Sequence, residues 1–218
     1  MHQLLAPLSR PARYLDVVLV MAGIILFALY IHEDSWLIII SFTGLILSAI
    51  CIGIFIINRN WIPQIIGSFS PSRRLTFFCM AGVITGSLLA LILRHFFFDT
   101  LFPTAIAKFA IIAPLIGISE ELLFRGYVQG RIRGSSRIIS IIVAATAHTL
   151  YKYIALKTLS APVEIEFLFL VKWTVIGGLI FGILRDLSNS VFPPCLAHGC
   201  FDILVYGGFA SAPTWVWG

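Results

Sequence analysis

Long apolar runs, each about as long as a membrane is thick, constrain this chain more than any other feature. The run LIIISFTGLILSAICIGIFII, residues 37–57, is apolar on every face that a helix would present. A spanning helix needs about 20 mostly apolar residues, because it must cross about 30 Å of hydrocarbon at about 1.5 Å per residue. A barrel would need segments of about 10 residues with strict alternation. The sequence therefore predicts an all-α fold, a polytopic transmembrane helical bundle.

The composition agrees with this class. Of the 218 residues, 59% are hydrophobic and 11% are charged, and the mean hydropathy is +1.00. A soluble domain carries about 25% charged residues, so the sequence predicts an integral membrane protein. The four cysteines lie singly in apolar segments without CxxC spacing, which favours small buried hydrophobes over a disulfide framework or a zinc ribbon.

Seven spans fit along the chain, with ends defined to within about two to four residues. They are residues 14–31, 36–57, 75–98, 101–124, 137–153, 165–184 and 191–209. No small-residue cleavage site follows the first apolar stretch, so it is expected to be a retained span. The short connections predict one integral membrane domain over residues 1–218.

Basic residues predict the orientation. With a cytoplasmic N-terminus, ten arginines fall on the inner side, as the positive-inside rule requires. They are Arg10, Arg13, Arg59, Arg73, Arg74, Arg125, Arg131, Arg133, Arg137 and Arg185. Arg94, Lys152 and Lys157 fall at outer ends, and an odd span count places the C-terminus outside. The net charge of +5 then lies against anionic lipid head groups, and no aromatic-interleaved basic stripe indicates nucleic acid.

Ionisable side chains inside the predicted spans are the candidates for function, because each costs about 2.5 to 3.5 kcal/mol on insertion scales. They are Glu120, Glu121 and Arg125 in SEELLFRG, His148 in IIVAATAHTL, and His198 and Asp202 in the last span.

Helical pitch separates the two adjacent acids. Glu121 and Arg125 are an i,i+4 pair on one face, whereas Glu120 is turned by about 100°. Glu121 and Arg125 can neutralise one another, which leaves Glu120 to face a cavity inside the bundle. The alternative is an interfacial cap in which both acids pair with Arg125, Arg131 and Arg133.

The two histidines lie within later spans. His148 is placed about 16 Å from the inner end of its helix, among small residues that let a neighbouring helix approach. A lone buried histidine satisfied by a hydroxyl is the alternative. His198 and Asp202 are again i,i+4, so the carboxylate can accept the imidazole proton. A structural polar pair that holds two spans together is the alternative there.

An acid and two imidazoles without an obvious nucleophile suit the activation of water against a carbonyl. Glu120 would take the proton of water, and His148 would position that water or return the proton to the leaving amine. His198, held by Asp202, would donate to the oxyanion. The chain has no GxSG, GxGD or HExxH motif. A zinc site built from His148, His198, Glu120 and Asp202 stays open as an alternative.

The same residues resemble the CPBP or Abi family, the group of CAAX prenyl endopeptidases and bacteriocin-processing glutamic intramembrane proteases. EELLFRG matches its EExxxR motif, and His198 with Asp202 matches a histidine followed four residues later by Asn or Asp. The FxxxH motif is matched only at His148, because Ala144 stands where Phe is expected. The resemblance covers about residues 114–202, and the first three spans carry no motif of the family.

The resemblance implies a metal-independent peptide hydrolase without a cofactor. Its catalytic core would occupy residues 101–209, after N-terminal spans in residues 1–100. Glu120 and His148 would activate the water, His198 and Asp202 would support the oxyanion, and Glu121 and Arg125 would support the site. The missing Phe leaves the wall of the substrate groove undefined.

The resemblance also bounds the substrate. It would be a membrane-associated protein or peptide, with a CAAX tail, a bacteriocin, a membrane anchor or a sorting tail left open, as is the oligomeric state. Two other classes stay open, a non-enzymatic membrane scaffold or bacteriocin immunity protein, and a transporter, whose repeats we do not find. The compact size favours a prokaryotic plasma membrane.

Overall fold

A computed structural model describes residues 14–33, 35–59, 62–159, 167–213 and 216. These residues form helices joined by short connections, and the only strand-like feature among them is an isolated bridge between Gly67 and Ser190. The predicted all-α fold is confirmed. The helices group into two compact units, Met1–Trp61 and Ile62–Gly218. A single domain over residues 1–218 stays a prediction.

The first unit contains α1, Leu15–Tyr30, and α2, Leu37–Arg59. Small residues bring these helices together, because a Cβ atom on Gly23 would overlap the carbonyl oxygen of Gly44. The hydroxyl of Ser48 donates to the carbonyl of Val20 over 2.9 Å, which joins the two helices by a hydrogen bond. Close approach and interhelical hydrogen bonds are the interactions that hold helices together in lipid.

The second unit contains the remaining helices. They are α3 Ile62–Ile66, α4 Arg73–Phe97, α5 Lys108–Glu121, a π-helical segment Leu122–Val128, α6 Gln129–Ile132, α7 Arg137–Lys157, α8 Phe167–Ser188 and α9 Phe192–Val205. Helices α4 and α7 have serine N-caps: the hydroxyl of Ser72 accepts a hydrogen bond from the amide of Leu75, and that of Ser136 accepts one from the amide of Ile139. Pro193 and Pro194 lie in the first turn of α9, where proline is tolerated.

The prediction of seven spans is wrong. Of the described helices, α2, α4, α7 and α8 are long and apolar enough to cross a membrane, and α1 and α9 are shorter apolar helices. The count is therefore four to six. An outer C-terminus rested on the odd count and loses that support. The cytoplasmic N-terminus stays a prediction, and Arg10, Arg13 and the side chain of Arg59 lie outside the described residues.

The predicted fourth span, residues 101–124, accounts for the error. Its helix begins only at Lys108, and the regular α5 part is 14 residues long, or about 21 Å, before it continues into the π-helical segment at Leu122. Residues 101–107 are not helical, and at the start of this segment Arg94 binds the carbonyl oxygens of Thr100 and Leu101. A hydropathy argument counts the apolar residues of this segment but does not register where their carbonyl groups are bound.

Helix α9 packs against α4, α5 and α8. Two glycines one helical turn apart, in GVITG, allow the approach of α4. A Cβ atom on Gly82 would overlap the carbonyl oxygen of Pro193, and one on Gly86 would overlap that of Ala197. Glycines four residues apart on one helix commonly provide such contacts in membranes. This packing fixes the backbone of the helix that carries His198 and Asp202.

Candidate active site

Glu120 lies at the C-terminal end of α5, and its side chain is buried, with 6% of the residue exposed. Its two carboxylate oxygens have different partners, and both partners come from α7. Oε2 lies 3.2 Å from Nε2 of His148, and Oε1 lies 2.7 Å from Nζ of Lys152. One face of α7 therefore holds both oxygens of the carboxylate.

Glu121 is fully buried and joins two other groups. Its Oε1 lies 3.0 Å from Nη1 of Arg125 and 2.9 Å from Nδ1 of His198. The i,i+4 pair of Glu121 and Arg125 is present as the spacing indicates. Both side chains are 0% exposed, so the pair is not a solvent-facing cap. The two acids point to different partners, which is the separation that helical pitch predicts.

Arg125 sets the proton position on His148. The Nη1 atom of Arg125 lies 3.0 Å from Nδ1 of His148. A guanidinium has donors only, so Nδ1 of the imidazole accepts this hydrogen bond and carries no proton. The proton of His148 is then on Nε2, from which it is donated to Glu120. His148 is held by a guanidinium and a carboxylate rather than by a lone hydroxyl.

His198 has a different acceptor from the one that the spacing predicts. Its Nδ1 donates to Glu121, whereas its Nε2 lies 3.7 Å from Oδ1 of Asp202, beyond hydrogen-bonding distance. The same Nε2 lies 3.9 Å from Oε2 of Glu120. The i,i+4 spacing does place His198 and Asp202 on one face of α9. The ring nevertheless turns its Nδ1 to Glu121 of α5, which comes closer than the carboxylate of its own helix.

Gly117 makes room for this arrangement. A Cβ atom at position 117 would lie 2.7 Å from Cδ2 of His198 and would overlap Oδ2 of Asp202. Gly117 precedes Glu120 by about one turn of α5, so the helix that supplies the acid also supplies the space for the second imidazole.

These polar groups line a cavity of about 100 Å³ in the second unit. Glu120, His148, Lys152, His198 and Asp202 all contribute to its wall. The rest of the wall is mainly apolar and aromatic, with Leu89, Leu93, Trp173, Phe181 and Phe201 among its members. Of the six residues named from the sequence, Glu120, Arg125, His148, His198 and Asp202 lie in this wall, and Lys152 joins them there.

Sequence reasoning missed Lys152 in the site and placed it among charges at the outer ends of spans. Lys152 is instead buried, with 8% of the residue exposed, against Glu120. The predicted span ended at residue 153, but α7 continues to Lys157, so Lys152 lies a turn inside the helix. Lys152 follows His148 by four residues, so both side chains lie on one face of α7. This spacing is the sequence signal that could have revealed Lys152 as part of the site.

Arg94 was also placed at an outer end and is also buried. Its guanidinium binds the carbonyl oxygens of Leu204 and Val205, besides those near residue 100. These carbonyls belong to the last turn of α9. A cation at the C-terminal end of a helix is favourable, so Arg94 supports the helix that carries His198.

The arrangement of donors bears on the zinc alternative. Within the described ranges, no three His, Cys, Asp or Glu side chains are grouped so that they could hold a metal ion. The Nδ1 atoms of both histidines are already bound, and the cations of Arg125 and Lys152 lie against the two acids. Two fixed positive charges oppose the entry of a further cation.

An acid and two imidazoles from three helices thus lie beside a cavity in an integral membrane protein. The family model described as type II CAAX prenyl endopeptidase Rce1-like matches residues 102–204. The chain thus carries a domain of the CPBP family of CAAX proteases, and all six of the predicted site residues lie within it. No curated protein and no solved structure gives a significant match. The family is one of peptide hydrolases, and its name supports protease activity.

Proposed function

We propose that this protein is an intramembrane endopeptidase of the glutamic type, which hydrolyses a peptide bond of a membrane-associated protein or peptide. One observation carries the proposal. The Glu120 carboxylate is buried at the wall of a cavity, and its Oε2 lies near the imidazoles of His148 of α7 and His198 of α9. The family match supports the reaction class, and the geometry supports the role of each residue.

Glu120 is the general base of this mechanism. A water molecule beside its carboxylate gives a proton to Glu120 while the water oxygen attacks the carbonyl carbon. His148 donates its Nε2 proton to the carboxylate and so fixes the orientation of the base. When the tetrahedral intermediate collapses, the C–N bond breaks and the proton held by Glu120 moves to the leaving amine.

His198 approaches the same carboxylate oxygen of Glu120 from α9 and stabilises the oxyanion. The 3.9 Å between its Nε2 and Oε2 of Glu120 is long for a direct hydrogen bond, and a water or carbonyl oxygen lying between them would contact both groups. Because Nδ1–H is donated to Glu121, His198 donates to the oxyanion as an imidazolium. Three carboxylates balance that charge, at 2.9, 3.7 and 3.9 Å. Asp202 is one of them.

The proposed substrate is associated with the membrane in which this protein lies. We propose the membrane-embedded part of a protein or peptide, with a CAAX-type tail, a signal or anchor segment and a sorting tail as its classes. The apolar wall of the cavity favours an apolar residue beside the cleaved bond. A cytoplasmic N-terminus and a prokaryotic plasma membrane belong to the same proposal.

A non-enzymatic scaffold is the second candidate, because one observation favours it. Hydrogen bonds and ion pairs join α5 to α7 and α9 through Glu120 and Glu121, and such contacts would also clamp the helices of an inert protein. A clamp variant loses folded protein. A catalytic variant stays folded and loses turnover.

The test compares cleavage of a membrane-peptide library by purified wild type, Glu120→Gln and His148→Ala in detergent, with and without a strong chelator. Glu33→Gln serves as the matched control, because Glu33 is an exposed acid in a connection of the first unit. We expect Glu120→Gln to lower kcat by about 10³-fold or more and His148→Ala by about 10²-fold, with folding and the chelated wild type unaffected.

Three outcomes would count against the proposal. If Glu120→Gln is folded and keeps wild-type turnover, Glu120 is not the general base. Loss of turnover with the chelator assigns the reaction to zinc. A library that no variant cleaves, together with unfolded Glu120→Gln protein, favours the scaffold.

A further inference from the structure

We propose that Lys152 is a positioning residue for the general base, which holds the Glu120 carboxylate in the orientation that water activation requires. The inference rests on the proposed function and extends it to a residue that matches none of the three family motifs. It is carried by the contacts of Lys152, by its burial and by its place on α7.

Lys152 and His148 contact different oxygens of the Glu120 carboxylate. Nζ of Lys152 lies 2.7 Å from Oε1, and Nε2 of His148 lies 3.2 Å from Oε2. The two residues are four apart on one face of α7, so their separation is fixed by helix geometry. Contacts at both oxygens from one helix oppose rotation of the carboxylate about its terminal bond. The carboxylate would therefore keep one orientation beside the cavity.

The charges around the site explain why a cation is needed at this place. Glu120 and Glu121 are adjacent acids that are both buried, and the guanidinium of Arg125 lies against Glu121 only. A buried carboxylate without a cation is strongly destabilising. Lys152 supplies the charge for Glu120, with 8% of the residue exposed and its ammonium 5.5 Å from the Tyr151 ring. Each acid thus has its own cation.

An ammonium also fits the catalytic cycle. It carries three donors on a flexible stem, so it can keep contact with Oε1 while the proton of water is gained and lost at the carboxylate. In the proposed cycle Lys152 exchanges no proton and acts only on the carboxylate of Glu120. Its effect on the reaction passes through Glu120, and its removal should lower kcat rather than weaken substrate binding.

The experiment measures kcat, KM and the midpoint of thermal unfolding for wild type, Lys152→Met, Lys152→Arg, Glu120→Gln and the double variant of Lys152→Met with Glu120→Gln. Lys157→Met is the matched control, because it removes the same charge from the last turn of α7, where the ammonium lies 4.9 Å from the Phe167 ring and not in the cavity.

We expect Lys152→Met to lower kcat by about 10²-fold with KM within about threefold of wild type, and Lys152→Arg to keep at least about a tenth of the wild-type kcat. In the Glu120→Gln background, Lys152→Met should lower kcat no further, because the two residues act as one unit. The double variant should unfold at a higher temperature than Lys152→Met alone, since a neutral amide needs no cation.

Several results would overturn the inference. These are a wild-type kcat in Lys152→Met, a change in KM alone, an equal loss of kcat in Lys157→Met, or additive changes in the unfolding midpoints. The midpoints need no turnover, so they decide on the ion pair even if the peptides chosen are not cleaved. Retained turnover in Glu120→Gln refutes the proposed function itself. An inactive Glu120→Gln beside a fully active Lys152→Met refutes only the role of Lys152.

Discussion

The Nδ1 atom of His198 lies 2.9 Å from Oε1 of Glu121, a residue on a different helix. The same oxygen atom lies 3.0 Å from Nη1 of Arg125, and this guanidinium also contacts His148. One carboxylate oxygen of Glu121 therefore contacts both Arg125 and the imidazole of His198. Glu121 thus links both histidines of the site although it does not line the cavity. The adjacent acids Glu120 and Glu121 have different roles in the proposed mechanism. Glu120 activates the water, and Glu121 accepts hydrogen bonds from Arg125 and His198.

Glu121→Gln should damage both turnover and stability. The amide keeps the shape of the side chain but leaves the buried Arg125 without its counter-charge, a change that costs about 3–5 kcal/mol for buried pairs. We expect kcat to fall by about 10²-fold, because His198 loses a charged acceptor. Chemical unfolding and steady-state kinetics on the same preparation measure the two effects.

The double variant of Arg125→Met with Glu121→Gln is the control for this pair. It should be more stable than Arg125→Met alone, because no unpaired charge is then left in the core. If the effects of the two single substitutions add, the ion pair contributes nothing to folding.

Gly117→Ala should lower turnover by about 10-fold or more, with a smaller effect on folding. The added methyl group would lie 2.7 Å from Cδ2 of His198, so the imidazole must shift from its position beside Glu120 and Glu121. Gly53→Ala is the control, because a Cβ atom there meets no atom within 4 Å. Kinetics and unfolding of both variants test this, and equal kcat values for the two would show that His198 needs no fixed position.

Asp202→Asn should keep kcat within about tenfold of wild type. Asp202 is not the hydrogen-bond acceptor of His198, and an amide of the same shape adds a donor that can reach an oxyanion. Asp202→Leu, which keeps the volume without polar atoms, should lose more activity. A complete loss in Asp202→Asn would show that the reaction needs the negative charge at this position.

Gly86→Ala should destabilise the second unit. The methyl group would overlap the carbonyl oxygen of Ala197, so α4 and α9 must separate, and overpacking of this kind costs about 1–3 kcal/mol. Thermal unfolding against Gly53→Ala isolates the effect from that of adding a methyl group to a membrane helix. An unchanged midpoint would mean that α4 and α9 tolerate a wider spacing.

Some features of this protein follow from the sequence by itself. The apolar runs predict an all-helical membrane protein, since the bilayer admits few other structures with this hydropathy. The pairing of Glu121 with Arg125 and the divergence of Glu120 follow from helical pitch, which is a local property. The motif residues around Glu120, His148 and His198 also point to the family before any fold is known.

The number of membrane spans could not be predicted from hydropathy. Residues 101–107 are apolar enough to count toward a span, but Arg94 binds the carbonyl oxygens of Thr100 and Leu101, and α5 starts only at Lys108. Hydropathy measures the preference of side chains for lipid. It does not measure where the backbone hydrogen bonds of a segment are satisfied.

The partners of the site residues were decided by the tertiary structure alone. Spacing on α9 pointed from His198 to Asp202, but the nearest acceptor comes from α5, where Gly117 lets the imidazole approach. Lys152 likewise becomes part of the site only because α7 packs with its charged face against Glu120. The sequence determined which side chains share the face of one helix, because the pitch of a helix is constant. Which helices face one another depends on close packing at a few small residues, and that packing forms only in the folded bundle.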